Sequence, residues 1–185
     1  MKTALIGGIG NVLLGDDAVG PSVVRFLEAR YTFGDDVQIV DLGTPALDLT
    51  HQIADRHALI LVDSVASDDP PGTIVLFRKA DILAEAPAQR VDPHSPALSE
   101  CLLTAEMLGA APEHVLLVGI VGESYEPGRP LSEPVRQSIE PAIAGIVQEL
   151  ERLGFRIEKK LAPSQPSIWW DASYLPSSPS CPSGT

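Results

Sequence analysis

Short runs of apolar and β-branched residues alternate along this chain with segments whose apolar positions recur every three to four residues. That is the pattern of strands and helices alternating in a layered α/β domain. Thr3 to Ile9 reads as a first buried strand. The helix after it carries Val19, Val23, Phe26 and Leu27 on one stripe, with Pro21 in its first turn, where a missing N–H costs little. Val37 to Asp41 reads as a second strand, and Pro45 to Arg56 as a second helix with Leu47, Ile53 and Ala54 turned inward. Ala58 to Val62 is apolar at every position, as a strand covered on both faces must be, and is expected at the centre of the sheet.

The strand expected at Thr73 to Phe77 comes too soon after its predecessor to leave room for the crossover of about a dozen residues that a parallel neighbour needs. With Pro70-Pro71-Gly72 before it, it is expected to run antiparallel at an edge. Ser95 to Leu108 reads as a helix stopped by Gly109, a good left-handed terminator. His114 to Val121 is the fifth strand. From Ser132, a suitable N-cap, Val135, Ile139, Ile143, Ile146, Leu150 and Leu153 hold a long helical stripe, which Pro141 is expected to kink or split. Beyond about Lys160 the periodicity stops. Residues 161–185 are rich in Pro and Ser, with Trp169, Trp170, Tyr174 and Leu175 among them, and are expected to form a disordered tail on a single domain spanning 1–160.

Composition narrows the class. With 185 residues, of which 44% are hydrophobic, the chain can bury one sizeable core. A net charge of -12 excludes the clustered Lys and Arg that a phosphate backbone demands, so no nucleic-acid partner is expected. Cys101 and Cys181 are far apart, with no Cys-x-x-Cys, which argues against a disulfide framework or a thiolate metal site. The start of the chain lacks the features of a signal peptide, and no apolar run approaches the roughly 20 residues of a spanning helix. A cytoplasmic protein without a membrane partner, acting as a monomer, is the expectation.

The candidate chemistry lies at the carboxyl ends of the strands. The loop GGIGNVLLGDDAVG, with Asp41 ending the second strand, imitates a dinucleotide site. Yet Leu13 replaces the third glycine, and Asp16 and Asp17 stand where a pyrophosphate would sit. One aspartate suffices to cap the helix, which leaves the other to face a ligand. Asp63 closes the run ALILVDSV, and if the first and third strands are neighbours, Asp17 and Asp63 meet beside the switch point where open α/β sheets bind ligands. His94, between Pro93 and Pro96, offers a third donor; two carboxylates with an imidazole suit a divalent first-row ion such as nickel or zinc. Of the other histidines, His51 and His57 flank the end of the second helix and His114 begins the fifth strand, so no further ligand pair is expected. Neither Ser64 nor Ser95 has a nucleophile elbow, and no His-Glu-x-x-His occurs, so water is the expected nucleophile of any hydrolysis.

These segments together resemble the hydrogenase maturation endopeptidases. The resemblance runs from Ala4 to about Phe155. It is carried by G-x-G-N-x-L-x-x-D-D at Gly8 to Asp17, D-x-G-T at Asp41 to Thr44, the strand ending in Asp63, P-H-x-x-x-L at Pro93 to Leu98, and L-V-G-I at Leu117 to Ile120. It implies a three-layer α/β/α sandwich around a mixed five-stranded sheet with one antiparallel edge strand. It implies an endopeptidase that removes the C-terminal extension of a nickel-iron hydrogenase large-subunit precursor after nickel insertion. The family's metal-contacting acid, acid and histidine fall on Asp17, Asp63 and His94, which would read nickel already seated in the precursor, with no permanently bound metal of the protease's own. Asp17 stands where the family commonly has Glu, and Ala18 and Ala46 where it often has Gly. Asp16 or Asp17 is the candidate general base, and Gly43 and Thr44 are candidates for substrate contact, against the plain alternative of a tight turn. A non-catalytic nickel-sensing chaperone for the same precursor, and a nucleotide-binding regulator, are the competing readings.

Overall fold

The computed structural model describes residues 2–45, 49–84 and 95–171, and for 95–97 the backbone alone. Five strands form the main sheet: β1 (Ala4–Ile9), β3 (Val37–Gly43), β4 (Ala58–Val65), β5 (Ile74–Arg78) and β6 (His114–Val121), in the order β3-β1-β4-β6-β5. All pair in parallel except β5, which runs antiparallel on β6 at the edge, as the short connection before it requires. β4 is central and buried at every position.

Helices cover both faces. α1 (Val19–Arg30) and α5 (Glu133–Arg152) lie on one, over Ala58, Ile60 and Val62. α2 (Leu49–Ile53), α3 (Lys79–Ala84) and α4 (Ser95–Met107) lie on the other, over Leu59 and Leu61. The alternation along β4 thus feeds two separate apolar clusters, which is why this strand has no polar face until its carboxyl end.

Several expectations are corrected. β4 extends to Val65, so Asp63 lies inside the strand, opposite Gly119 of β6. The second helix is described only over Leu49–Ile53, and Leu47 lies outside the described residues; Asp55, with a φ of 59°, turns the chain out of it. α5 continues through Pro141 without being split: Pro removes one backbone donor, and the packed stripe of Ile139, Ala142, Ile143 and Ile146 holds the rest of the helix to the sheet. A two-stranded ribbon of β2 (Tyr31–Phe33) and β7 (Ile157–Lys159) extends α1 and closes the end of the domain.

The Pro/Ser-rich segment is not featureless over 161–171. Ser164 N–H donates to Ala29 O at 3.1 Å, Ile168 is buried, and Trp170 packs against the α1/α5 cluster. Residues 172–185, Cys181 included, lie outside the described residues. Cys101 is a buried free thiol on the inner face of α4.

Candidate active site

A difference in ladder length builds the site. β1 pairs with β4 only as far as Gly8 opposite Val62, whereas β4 stays paired with β6 to Val65 opposite Val121. Asp63 to Val65 therefore run past the end of the β1–β4 ladder, at the point where the connections of the sheet diverge. This is the crevice in which open α/β sheets take ligands. A 3-10 turn, Gly15–Ala18, fills the step and delivers two aspartates to it.

The two adjacent carboxylates have different partners. Asp17 Oδ1 accepts the Ser64 hydroxyl at 2.8 Å, and its Oδ2 accepts Asn11 N–H at 2.7 Å. Asp16 Oδ1 accepts Ser132 N–H at 2.6 Å, while its Oδ2 accepts Glu123 N–H at 2.8 Å, Ser124 N–H at 3.0 Å and the Ser132 hydroxyl at 2.8 Å. A carboxylate has about four lone-pair positions. Among the described residues Asp17 accepts two hydrogen bonds, one on each oxygen, whereas Asp16, at 0% exposure, accepts four and is shut off from solvent. The geometry therefore removes Asp16 from the candidate bases and makes it the clasp that ties the β6–α5 loop to the 15–18 turn.

Neither aspartate caps its own helix. α1 starts at Ala18 without a side-chain cap, and Asp16 instead binds the amide of Ser132, the N-cap residue of α5. Ser132 holds that position as the sequence predicts, but its hydroxyl points to Asp16 rather than into α5. Gly10 makes the arrangement possible. Its φ is +138°, and a Cβ there would stand 1.8 Å from Asp17 O, so the loop doubles back on the turn only with glycine.

Asp63 is buried, with 5% exposure, at the carboxyl end of β4, beside the serine that binds Asp17. By strand alternation its side chain leaves the sheet on the α2/α4 face, whereas Ser64 leaves it on the α1/α5 face. Asp17 and Asp63 thus reach the same edge from opposite sides of the sheet. His94 lies outside the described residues; Ser95, next in the chain, begins α4.

Gly43 and Thr44 are on this edge too. Gly43 N–H donates to Asp41 Oδ1 at 3.1 Å and Gly43 O accepts Gly10 N–H at 2.8 Å, so both backbone groups serve the fold. Its φ of +58° is the turn geometry that favours glycine, yet among the described residues nothing lies within 4 Å of where a side chain would stand. Thr44, next to it, is exposed. Asp41 also meets Arg25 at 3.4 Å, which occupies the acid that a ribose would need.

Two features escaped the sequence reading. Ser64, set aside as a nucleophile, is the residue that orients Asp17, and its only signal was its place after Asp63. At the opposite edge of the sheet, His57 and His114 do come together, with ring centroids 4.9 Å apart, contrary to the expectation of no further ligand pair.

A doubly wound sheet whose switch point is lined by buried acids, in place of a phosphate loop, sets the chain apart from dinucleotide-binding proteins. The hydrogenase maturation protease family model matches residues 21–149. The chain is 35% identical over 151 residues to hydrogenase 2 maturation protease of Escherichia coli, a match covering 81% of this chain and 92% of that one. It is 32% identical over 160 residues to the hydrogenase expression/formation protein HupD of Bradyrhizobium diazoefficiens, covering 86% and 83%. The solved structure of hydrogenase maturating endopeptidase HybD from E. coli superposes with a TM-score of 0.78 at 32% identity, over 85% of this chain and 98% of that one. The chain belongs to the hydrogenase maturation protease family and is an endopeptidase; the chaperone and nucleotide-regulator readings fall away. No helix among the described residues is long and apolar enough to cross a membrane.

Proposed function

We propose that the carboxyl-edge crevice removes the C-terminal extension of a nickel-iron hydrogenase large-subunit precursor, with Asp17, Asp63 and His94 recognising nickel already seated in that substrate. The observation that carries this reading is the division of labour between the two adjacent aspartates. A residue whose carboxylate is fixed by Asn11 and Ser64, yet accepts two hydrogen bonds among the described residues where Asp16 accepts four, is suited to meet something that arrives.

The topology supports a role for His94. β6 begins at the amino edge of the sheet shortly after α4 ends, and the Leu98 side chain, in the first turn of α4, joins the same cluster as Ile9 at the end of β1. The start of α4 therefore lies toward the carboxyl edge. Two carboxylates and an imidazole form a mixed donor set suited to nickel and leave coordination positions for the precursor's own ligands.

Nickel in the substrate supplies a Lewis acid that can polarise the scissile carbonyl or acidify a water. The protein's part is to hold Asp17 in one orientation, as metal contact or as base for that water, and to bind the chain past the open face of Gly43 and Thr44. Leu13 and Tyr125, exposed on loops beside the turn, give the crevice an apolar rim for a peptide. The test is processing of nickel-loaded precursor by Asp63→Ala and Asp17→Asn variants that keep their fold. Loss of cleavage by at least about a hundredfold is expected, the scale of removing a positioned acid or base; near-normal cleavage by either would overturn that residue's role.

A further inference from the structure

The amino edge of the sheet holds a second group of metal-ligating side chains, which cleavage at the carboxyl edge does not use. β4 and β6 begin in register, Ala58 opposite His114, and His114 N–H donates to His57 O at 3.1 Å. The two imidazoles are thereby set side by side in an edge-to-face arrangement. Glu113 spans them: its Oε2 is 3.3 Å from His57 Nδ1 and its Oε1 is 3.6 Å from His114 Nε2.

A tetrahedral ion with nitrogen and oxygen ligands at about 2.0–2.2 Å spaces those ligands about 3.4 Å apart. In this cluster one donor atom from each of the three residues lies within 4.8 Å of the others. The remaining gap is small for Glu113, whose side chain is 69% exposed and able to turn. The imidazoles are better fixed, at 25% and 34% exposure, with His57 also against the Phe155 ring. The nearby cations have other partners: Lys2 donates to Leu153 O, and Lys79 pairs with Glu106 at 2.9 Å.

We propose that His57, Glu113 and His114 form a binding site for a divalent first-row transition ion of the zinc class, with the fourth position left to water. Imidazole and carboxylate donors of this number suit such an ion. Along β4, His57 is six residues from Asp63, about 20 Å at the rise of a strand, so the two sites cannot share an ion. A bound ion here staples the starts of β4 and β6 and so favours the folded state by mass action.

The experiment is a titration of chelator-stripped full-length protein with zinc chloride, read by calorimetry and by the imidazole proton resonances of His57 and His114. It is repeated in His94→Ala, in Glu113→Gln and in the double variant His57→Gln/His114→Gln. The expected result is one equivalent that moves both histidines' resonances, persists in His94→Ala, and weakens at least about tenfold in the other two variants. Zinc that leaves those resonances unmoved, or an equivalent that survives the double substitution, would overturn the proposal. Melting curves of the metal-free variants keep loss of fold apart from loss of the site. Processing is not the readout, so failure here does not bear on cleavage.

Discussion

The two edges of this sheet handle charge in opposite ways. At the carboxyl edge, Asp16, Asp17 and Asp63 are all buried, and among the described residues Asp16 and Asp17 accept from backbone amides and serine hydroxyls. At the amino edge, Glu149 is gripped by two arginines: Arg152 donates from Nε at 2.9 Å and Nη2 at 2.8 Å, and Arg78 from both of its terminal nitrogens. Neutral donors orient a carboxylate without cancelling its charge, which leaves it able to attract a cation or take a proton. Arginines cancel it. The first arrangement is the one the proposed function needs; the second holds α5 to β5.

The largest effect in this comparison belongs to Asp16, the buried acid that accepts four hydrogen bonds. Asp16→Ala leaves three part-buried backbone amides and a hydroxyl without this acceptor and should cost on the order of 3 kcal/mol of stability, measured by urea denaturation. If its loss lowered cleavage but not stability, the division of labour between the two aspartates would be wrong. Next is Asp17→Asn, expected to lower processing at least about a hundredfold, roughly 2.7 kcal/mol in the barrier, with a smaller change in the urea midpoint.

The amino edge predicts a pH effect instead. The hydrogen bonds from Arg152 hold the Glu149 carboxyl down at about 2, against desolvation and with help from Arg78. Because the folded value is depressed, its stabilisation is complete above about pH 5 and is lost as pH falls toward 2. The arginines are about half exposed, so the contribution is on the order of 2 kcal/mol or less. Melting temperatures from pH 6 to pH 3 should fall less steeply in Glu149→Gln than in the wild type; parallel curves would remove the claim. The smallest effect is that of Arg25→Ala, which breaks an exposed pair with Glu28 at 3.0 Å and a part-buried one with Asp41 at 3.4 Å and should cost about 0.5–1 kcal/mol.

The legible and illegible parts of this molecule divide along similar lines. β1, β4 and β6 were readable because both of their faces are covered, so each carries a nearly continuous apolar run, broken only toward the ends by residues such as Asp63, Ser64 and His114. The antiparallel β5 was readable from chain length alone. β2, β7 and α3 were not: the strands are three residues each and half-exposed, and six-residue α3 buries only Ile82, too short a stretch to show a period. The persistence of α5 through Pro141 was hidden because tertiary packing outweighed one lost hydrogen bond.

In the site, sheet logic and motif resemblance brought Asp17 and Asp63 to one edge. What sequence could not supply was which aspartate is spent, because the donors to Asp16 come from Glu123, Ser124 and Ser132, more than a hundred residues away. The pairing of His57 with His114 likewise depended on the register of β4 against β6, which nothing local records.

The central claim is that the carboxyl-edge acids read nickel in the substrate before the chain is cut. The most direct test is to incubate the wild-type protein with hydrogenase large-subunit precursor in its nickel-loaded and nickel-free forms and follow release of the C-terminal extension. The account predicts release from the loaded form alone, abolished by Asp63→Ala or His94→Ala. Equal cleavage of the nickel-free precursor, or normal processing by His94→Ala, would contradict it.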